Sequence, residues 1–598
     1  MPKIKEKIDY VCLSTLKSRG WTDTLINKLL PAPKLVKNPH YRTSAEMKLW
    51  DIRDVEKAEE SEEFKIRLEK LIEREQKKKA KKEDKLNKMA GEINLRNPAK
   101  DYPIARSIHR HFILNIGETN TGKTYTALQA LKQAKTGTYL APLRLLAMEI
   151  QDRLLDDGIP CSMITGEEEN IIDGAKIVSS TVEKISLDTI YEVGVIDECQ
   201  MIADRDRGGS WTKAILGLAA ETIYLCMSPD AENICVKLIE MCGDTYEINM
   251  CERKVPLEYT GMVSMQNLQR NDAVVLFSRR NVLQFAEDVK KYGLRPSVVY
   301  GALPYKARKN QVEMYNSGKT DIIIATDAIG MGMNLPIKRV IFAEIEKFDG
   351  IEGRRLLPTE IKQIAGRAGR QGMFNKGFVG TLASLGNTKH ISNGLQEKNK
   401  KIDSACVPFP EELIKHSEDK LSKILTEWAE IKYPKIFKQQ NLSNTIDRVK
   451  YIEKKYKELD KRTILKLATV MFDEKDEVLM EDWEKYVYDF VCDREISFPH
   501  INAIDLRGYE RRYKELDLYY SFNRSMNLPM DVNKVMEAKE EVIEKINQLL
   551  VETNSKKQKK KHCRHCGKKL PNGFKFTLCD KCYHNMMSAR YFDEDNFF

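Results

Sequence analysis

Phe112-Ile-Leu-Asn-Ile-Gly-Glu-Thr-Asn-Thr-Gly-Lys-Thr124 decides how the rest of the chain is read. Its first five residues are rich in branched apolar side chains and predict a short buried strand. The next eight fit G-x-x-x-x-G-K-[ST], and the pattern from Tyr125 to Ala134 predicts a helix behind them. Such a turn aims its own N–H groups, and those that open the helix, at an anion. Here Gly117, Glu118, Thr119, Asn120, Thr121 and Gly122 form the cradle. Lys123 brings a mobile positive charge for the β- and γ-phosphates, and the Thr124 hydroxyl can complete a Mg²⁺ shell. A glycine turn with an incidental lysine needs neither this strand before it nor this helix after it. The expectation is a nucleoside triphosphate site.

Short apolar runs alternate with helical stretches on both sides of this point. Ile113–Ile116, Thr138–Leu140, Ile177–Ser179, Val193–Ile196 and Ile223–Cys226 predict one open parallel sheet, over a domain set at 101–255. Ala273–Phe277, Ser297–Val299, Ile322–Ala325, Val340–Phe342 and Gly377–Thr381 repeat the rhythm in a second domain at 256–390. Only the first has a phosphate loop, so the second is expected to complete the first one's site. The fold class is therefore α/β, two tandem parallel-sheet domains, with helical regions at either end.

Val193-Gly-Val-Ile-Asp-Glu-Cys-Gln200 sets two carboxylates just after a strand. Asp197 is placed to hold Mg²⁺ beside Thr124, and Glu198 to reach a water near the γ-phosphate. Gln363-Ile-Ala-Gly-Arg-Ala-Gly-Arg370 is the counterpart in the second domain. Arg367 and Arg370 lie three apart and share a helix face, where guanidinium can meet charge that shifts during phosphoryl transfer. An ordinary basic turn with small packing residues is the plainer alternative.

With 598 residues the chain has room for about four domains. A net charge of +10 suits an extended anionic partner, or merely solubility. No apolar run reaches the ~18 residues of a membrane span. The amino end lacks an apolar signal core and carries acids that a transit peptide avoids, so the expected location is cytoplasmic. Residues 1–45 are expected to form a small helical module and 46–100 a charged helix and linker, with Lys77-Lys-Lys-Ala-Lys-Lys82 as a solvated face. Residues 391–555 turn helical.

Of thirteen cysteines nine are scattered, the usage of a reducing compartment. The other four, Cys563, Cys566, Cys579 and Cys582, form two CxxC pairs twelve residues apart behind a lysine-rich linker. They suit tetrahedral Zn²⁺, in a zinc-ribbon-like module at 562–585.

Together these residues have a likeness. Gly117–Thr124, Ala141-Pro-Leu-Arg144, Thr165-Gly-Glu-Glu168, Asp197-Glu-Cys-Gln200, Ala325-Thr-Asp-Ala-Ile-Gly-Met-Gly332 and Gln363–Arg370, in this order, resemble a superfamily II helicase with RecA-like domains. More narrowly, the chain is similar to the RNA helicase of the mitochondrial degradosome (the suppressor-of-Var family) and its bacterial relatives, over roughly residues 105–555. The resemblance implies that Lys123, Thr124 and Asp197 bind ATP and Mg²⁺ and that Glu198 is the base. Gln200 would link the site to the second domain, Gln363 and Arg367 would face the γ-phosphate, and Arg370 would be the arginine finger. Pro142, Arg144, Thr165, Gly166 and Thr326 would line the RNA backbone, with Asp327 and Gly330 at the domain cleft. An ATP-dependent RNA helicase or translocase moving 3′ to 5′ is implied, with an exoribonuclease partner by resemblance only. A DNA-acting helicase and an ATP-switched clamp are the alternatives. Cys226-Met-Ser-Pro-Asp230 departs from the family's glycine-containing segment, and the Trp21 module and cysteine tail lie outside the family core.

Overall fold

A computed structural model describes residues 9–37, 46–330, 335–348, 352–386 and 389–553. The chain divides into two compact units, one joining residues 1–98 with 409–434, the other 99–408 with 435–598.

The first unit corrects the expected helical module. Tyr10–Cys12, Met47–Asp51 and Lys34–Val36 form an antiparallel sheet with Met47–Asp51 in the middle. The core crosses the expected boundary at 45: Leu16, Trp21 and Leu25 pack with Trp50, Val55 and Phe64. Trp21 and Phe64 have ring centroids 4.5 Å apart, and the Trp21 indole N–H donates to Glu59 Oε1 at 2.9 Å. Ser61 caps the helix Glu62–Gly91 by accepting from Phe64 N. Part of its lysine-rich stretch is paired rather than free, since Lys82 meets Glu430 and Lys85 Nζ lies 2.6 Å from Glu427 Oε1. The segment 409–434 is thereby tied to this unit, although its sequence places it in the expected helical domain.

In the second unit the runs of β-branched and apolar residues become strands buried on both faces, as parallel sheets require. The first sheet has eight strands in the order Thr245–Met250, His111–Ile116, Ala220–Met227, Tyr191–Ile196, Gly137–Ala141, Ile177–Thr181, Cys161–Ile164, Glu169–Asn170. All pairs are parallel except the last. The second sheet is wholly parallel, in the order Leu257–Val263, Gly377–Leu382, Arg339–Phe342, Asp272–Val275, Ile322–Ala325, Pro296–Val299. Two tandem RecA-like domains are thus present. Helices Leu506–Ser525 and Val532–Thr553 complete the second domain's core: Leu516, Val542 and Ile546 pack with Val274, Val298 and Tyr300. Tyr300 also donates its hydroxyl to Glu510 at 2.6 Å. The helical region is not strand-free, because Ala405–Val407 and Phe437–Gln439 pair in parallel. No described helix is long and apolar enough to cross a membrane.

Candidate active site

The phosphate loop leaves the carboxyl end of His111–Ile116, a strand held between Ala220–Met227 and Thr245–Met250. Asn120 (φ 65°) and Gly122 (φ 86°) take left-handed conformations that bend the loop over the opening of the helix Lys123–Gln133. Gly117 is needed for closeness, since a Cβ there would lie 2.3 Å from the Cys251 carbonyl oxygen. Lys123 Nζ donates to the carbonyls of Gly117 (2.7 Å) and Glu118 (2.9 Å), curled over the loop it serves. Asn115 is fully buried; it donates to Lys123 O at 3.0 Å and accepts from Asn249 at 3.0 Å, fixing the start of the helix. Sequence reasoning missed this asparagine, whose one signal is a polar side chain inside an apolar strand.

Asp197 and Glu198 follow the strand Tyr191–Ile196. Thr124 Oγ1 lies 3.2 Å from both Asp197 carboxylate oxygens, and the buried Tyr139 hydroxyl donates to one of them at 2.7 Å. The Trp211 indole N–H donates to the Asp197 carbonyl at 2.9 Å. Burial, then the neighbouring Glu198, push Asp197 up to about 6, against the pull of Tyr139 and Lys123. A buried acid whose charge is this poorly compensated suits a cation, and Thr124 supplies a second oxygen beside it. Glu198 sits at φ 52°, a left-handed conformation that strains a residue with a side chain. Gln200 donates to Glu198 Oε2 and accepts from Ser228 N at 3.2 Å. The expected link from Gln200 to the second domain is therefore corrected: it ties Glu198 to the segment Cys226–Asp230 of its own domain.

Arg367 reaches across from the second domain. It donates through Nε to Gly330 O at 3.2 Å, and it lines the same cavity as Thr119–Thr124, Tyr139, Asp197 and Glu198. Gln363 and Arg370 do not line that cavity. Burial and the neighbouring Arg153 lower the Arg370 guanidinium's affinity for its proton, with Glu149 opposing them. Gln363 belongs to the packing around Gly330, where a Cβ would come 3.6 Å from its Cγ. Asp327 is paired with Lys347 at 3.3 Å and lies away from the phosphate loop.

The two domains touch through the loop itself. A Cβ on Gly366 would fall 2.5 Å from Thr119 Cβ, so only glycine permits this approach. Asn120 Nδ2 donates to Gly369 O at 3.2 Å. Arg253, from the connection between the sheets, donates to Thr119 O (3.1 Å), Gly366 O (2.8 Å) and Ala368 O. Nothing in the sequence singled out Arg253, because a lone arginine in a charged connection looks like any other.

The expected RNA-contacting residues are engaged elsewhere. The Arg144 guanidinium, its side chain only 14% exposed, donates to Glu167, to Glu168 (3.2 Å), to Asp517 (2.9 Å) and to the Tyr513 hydroxyl (2.8 Å). Thr165 closes its own turn, donating to Glu168 O at 2.8 Å. Gly166 O accepts from Ser521 at 3.0 Å, Pro142 O from Arg207 at 2.6 Å, and Thr326 Oγ1 from Ala328 N at 3.3 Å. For Arg144 and Gly166 the physical reason is the helix Leu506–Ser525, which brings Tyr513, Asp517 and Ser521 onto the first domain from far along the chain; the bonds of Pro142, Thr165 and Thr326 are made within their own domains.

Cys563, Cys566, Cys579 and Cys582 lie outside the described residues, as do Met331 and Gly332 of the stretch Ala325–Gly332. Among the described residues no group of three or more His, Cys, Asp or Glu is arranged to hold a metal. The nine described cysteines are all free.

A phosphate loop, an acid pair behind a strand and an arginine offered by a second parallel-sheet domain line one cavity. Residues 98–251 match the DEXQ-box helicase domain of Suv3, and residues 258–372 match the helicase conserved C-terminal domain. Over 327 residues the chain is 39% identical to the DExH-box ATP-dependent RNA helicase DExH18, mitochondrial, of Arabidopsis thaliana, covering 54% of this chain and 42% of that protein. It is 43% identical over 303 residues to the ATP-dependent RNA helicase SUV3, mitochondrial, of Oryza sativa subsp. japonica (50% and 52%). With the protein of that name from Saccharomyces cerevisiae it shares 39% over 310 residues (49% and 42%). The chain spans about half the length of the curated relatives it matches. The expected cytoplasmic location does not stand, because each of these relatives is named mitochondrial. Scattered free cysteines mark a reducing compartment and do not say which one.

Gly366→Ala should force the loop and the arginine turn apart while leaving each sheet intact. Turnover of nucleoside triphosphate should fall roughly ten- to a hundredfold, the effect of about an ångström of misplacement at reacting groups. Steady-state kinetics beside a thermal melt check this, and wild-type turnover in the variant would show that the contact is not used.

Proposed function

We propose that this chain is an ATP-dependent RNA helicase or translocase that hydrolyses ATP in the cleft between its two parallel-sheet domains. The observation that carries the reading is a single cavity lined by Lys123, Thr124, Asp197 and Glu198 of one domain and Arg367 of the other. Lys123 would turn from the Gly117 and Glu118 carbonyls to the β- and γ-phosphates. Thr124 and Asp197 would hold Mg²⁺, which when bound offsets negative charge on the phosphate oxygens. Glu198, steadied by Gln200, would accept the proton of the attacking water. Arg367 would meet the charge that develops in the transition state, while roles for Gln363 facing the γ-phosphate and for Arg370 as the finger rest on the family resemblance.

RNA as the strand follows from the matched relatives, which are named RNA helicases. A groove where both sheets and the helical region meet is lined by Arg144, Arg308, Arg448, Lys514 and Phe472, but also by Glu167, Asp473, Glu474 and Asp517, which pair with three of those cations, so a strand entering it would have to displace ion pairs. Movement 3′ to 5′, a role in RNA metabolism or decay, and an exoribonuclease partner rest on the family resemblance. The relatives' names favour a mitochondrial workplace. In the tail, Cys563, Cys566, Cys579 and Cys582 would hold one Zn²⁺ by their spacing alone.

The test is steady-state ATPase with and without single-stranded RNA or DNA, together with unwinding of duplexes tailed at either end. RNA should stimulate turnover and a 3′ tail should support unwinding; stimulation by DNA alone would favour the DNA reading. In the same assay Glu198→Gln should keep ATP affinity and lose roughly two to four orders of magnitude in turnover. Near wild-type hydrolysis by that variant would remove Glu198 from the chemistry. Metal analysis of the full chain should find one zinc, lost when Cys579 and Cys582 become serine; iron or no metal contradicts the assignment.

A further inference from the structure

Residues 251–256 carry the chain from the first sheet to the second, and Arg253 is the one side chain there that reaches both. A guanidinium has five N–H donors fixed in a plane. In Arg253 the Nε–H donates to Val255 O at 2.7 Å, Nη1 to Gly366 O at 2.8 Å and Thr119 O at 3.1 Å, and Nη2 to Ala368 O. All four acceptors are backbone carbonyls. Two of them, Gly366 O and Ala368 O, lie just past the helix Pro358–Ala365, where carbonyls are left without helical partners and a cation is favoured. The third, Thr119 O, belongs to the phosphate loop of the other domain.

These acceptors are the two sides of the composite cavity. Thr119 begins the part of the loop that lines it, and Arg367 stands between Gly366 and Ala368. One planar group therefore holds the phosphate loop in register with the turn that presents the second domain's arginine. Its charge is met by carbonyl dipoles and, among the described residues, by Glu118. An arginine merely stapling the connection would need none of the contacts to Thr119 or Ala368.

We propose that Arg253 is a positioning residue for ATP hydrolysis, acting through Arg367: its fork sets how far Arg367 enters the phosphate site. This rests on reading the cavity as the ATP site. Arg253 bears on turnover rather than on ATP affinity, because Lys123 and the loop N–H groups that would hold the phosphates lie within the first domain. Lysine cannot replace it, since a point charge does not bridge three carbonyls in a plane.

The experiment compares the full-length wild type, Arg253→Lys, Arg367→Ala and the double variant. ATP affinity is read by equilibrium binding with Mg²⁺, kcat at saturating single-stranded RNA, and the unfolding midpoint by thermal melt. Arg253→Lys should lower kcat roughly tenfold or more, with affinity changed less than about threefold and the midpoint within a few degrees. The double variant should be no slower than Arg367→Ala alone, within about twofold, since the residue works through Arg367. Wild-type kcat in Arg253→Lys overturns the proposal. So do losses that multiply in the double variant, or a kcat loss that follows a falling melting midpoint. A wild-type chain that binds ATP but does not hydrolyse it would instead overturn the parent reading, and this inference with it.

Discussion

The structure depends on one close approach, that of the phosphate loop in the first domain to the Gly366–Arg367 turn in the second. Thr119 and Gly366 meet where no side chain on Gly366 could be accommodated, and Asn120 reaches Gly369 from the same loop. A phosphate loop alone can hold a triphosphate with backbone N–H groups and one lysine. Under the proposed reading, charge developing on the transferred phosphoryl group would need donors from outside the loop, and Arg367 of the other domain lines the same cavity. The cavity is thus only as complete as the contact between the domains.

The electrostatics follow from that geometry. Asp197 is buried beside Glu198, and that burial and like charge raise its affinity for a proton. The strained backbone at Glu198 and the bridge from Gln200 to Ser228 connect the acid pair to the residue just past the strand Ala220–Met227. In the first domain, Arg144 is surrounded by Glu167, Glu168 and Asp517. Lys539, with its side chain only 4% exposed, pairs with Asp517 at 2.7 Å and completes the cluster. Buried charges paired this fully are costly to separate, so the cluster holds the helical region against the first domain.

Much of this was legible in the sequence, for physical reasons that differ by residue. The central strands showed themselves because burial on both faces demands unbroken apolar runs, as in Ile322–Ala325. Edge strands such as Thr245–Met250 and Glu169–Asn170 did not, since one exposed face permits polar residues. The three-residue strands of the first unit are too short to display alternation, and the helical reading of residues 1–45 failed on them. Gly117–Thr124 and Asp197-Glu198 were readable because their chemistry needs fixed spacing on adjoining elements. Arg253, Asn115 and the partners of Arg144 were not, because each acts on residues distant in the chain and carries no local pattern.

Hydrogen exchange of the full chain, with and without a non-hydrolysable ATP analogue and Mg²⁺, tests the composite site most directly. The account predicts that the analogue slows exchange in both 117–124 and 363–370, and in neither when Lys123→Ala removes the phosphate contact. Protection confined to 117–124 would contradict it, because the second domain would then take no part in holding the nucleotide.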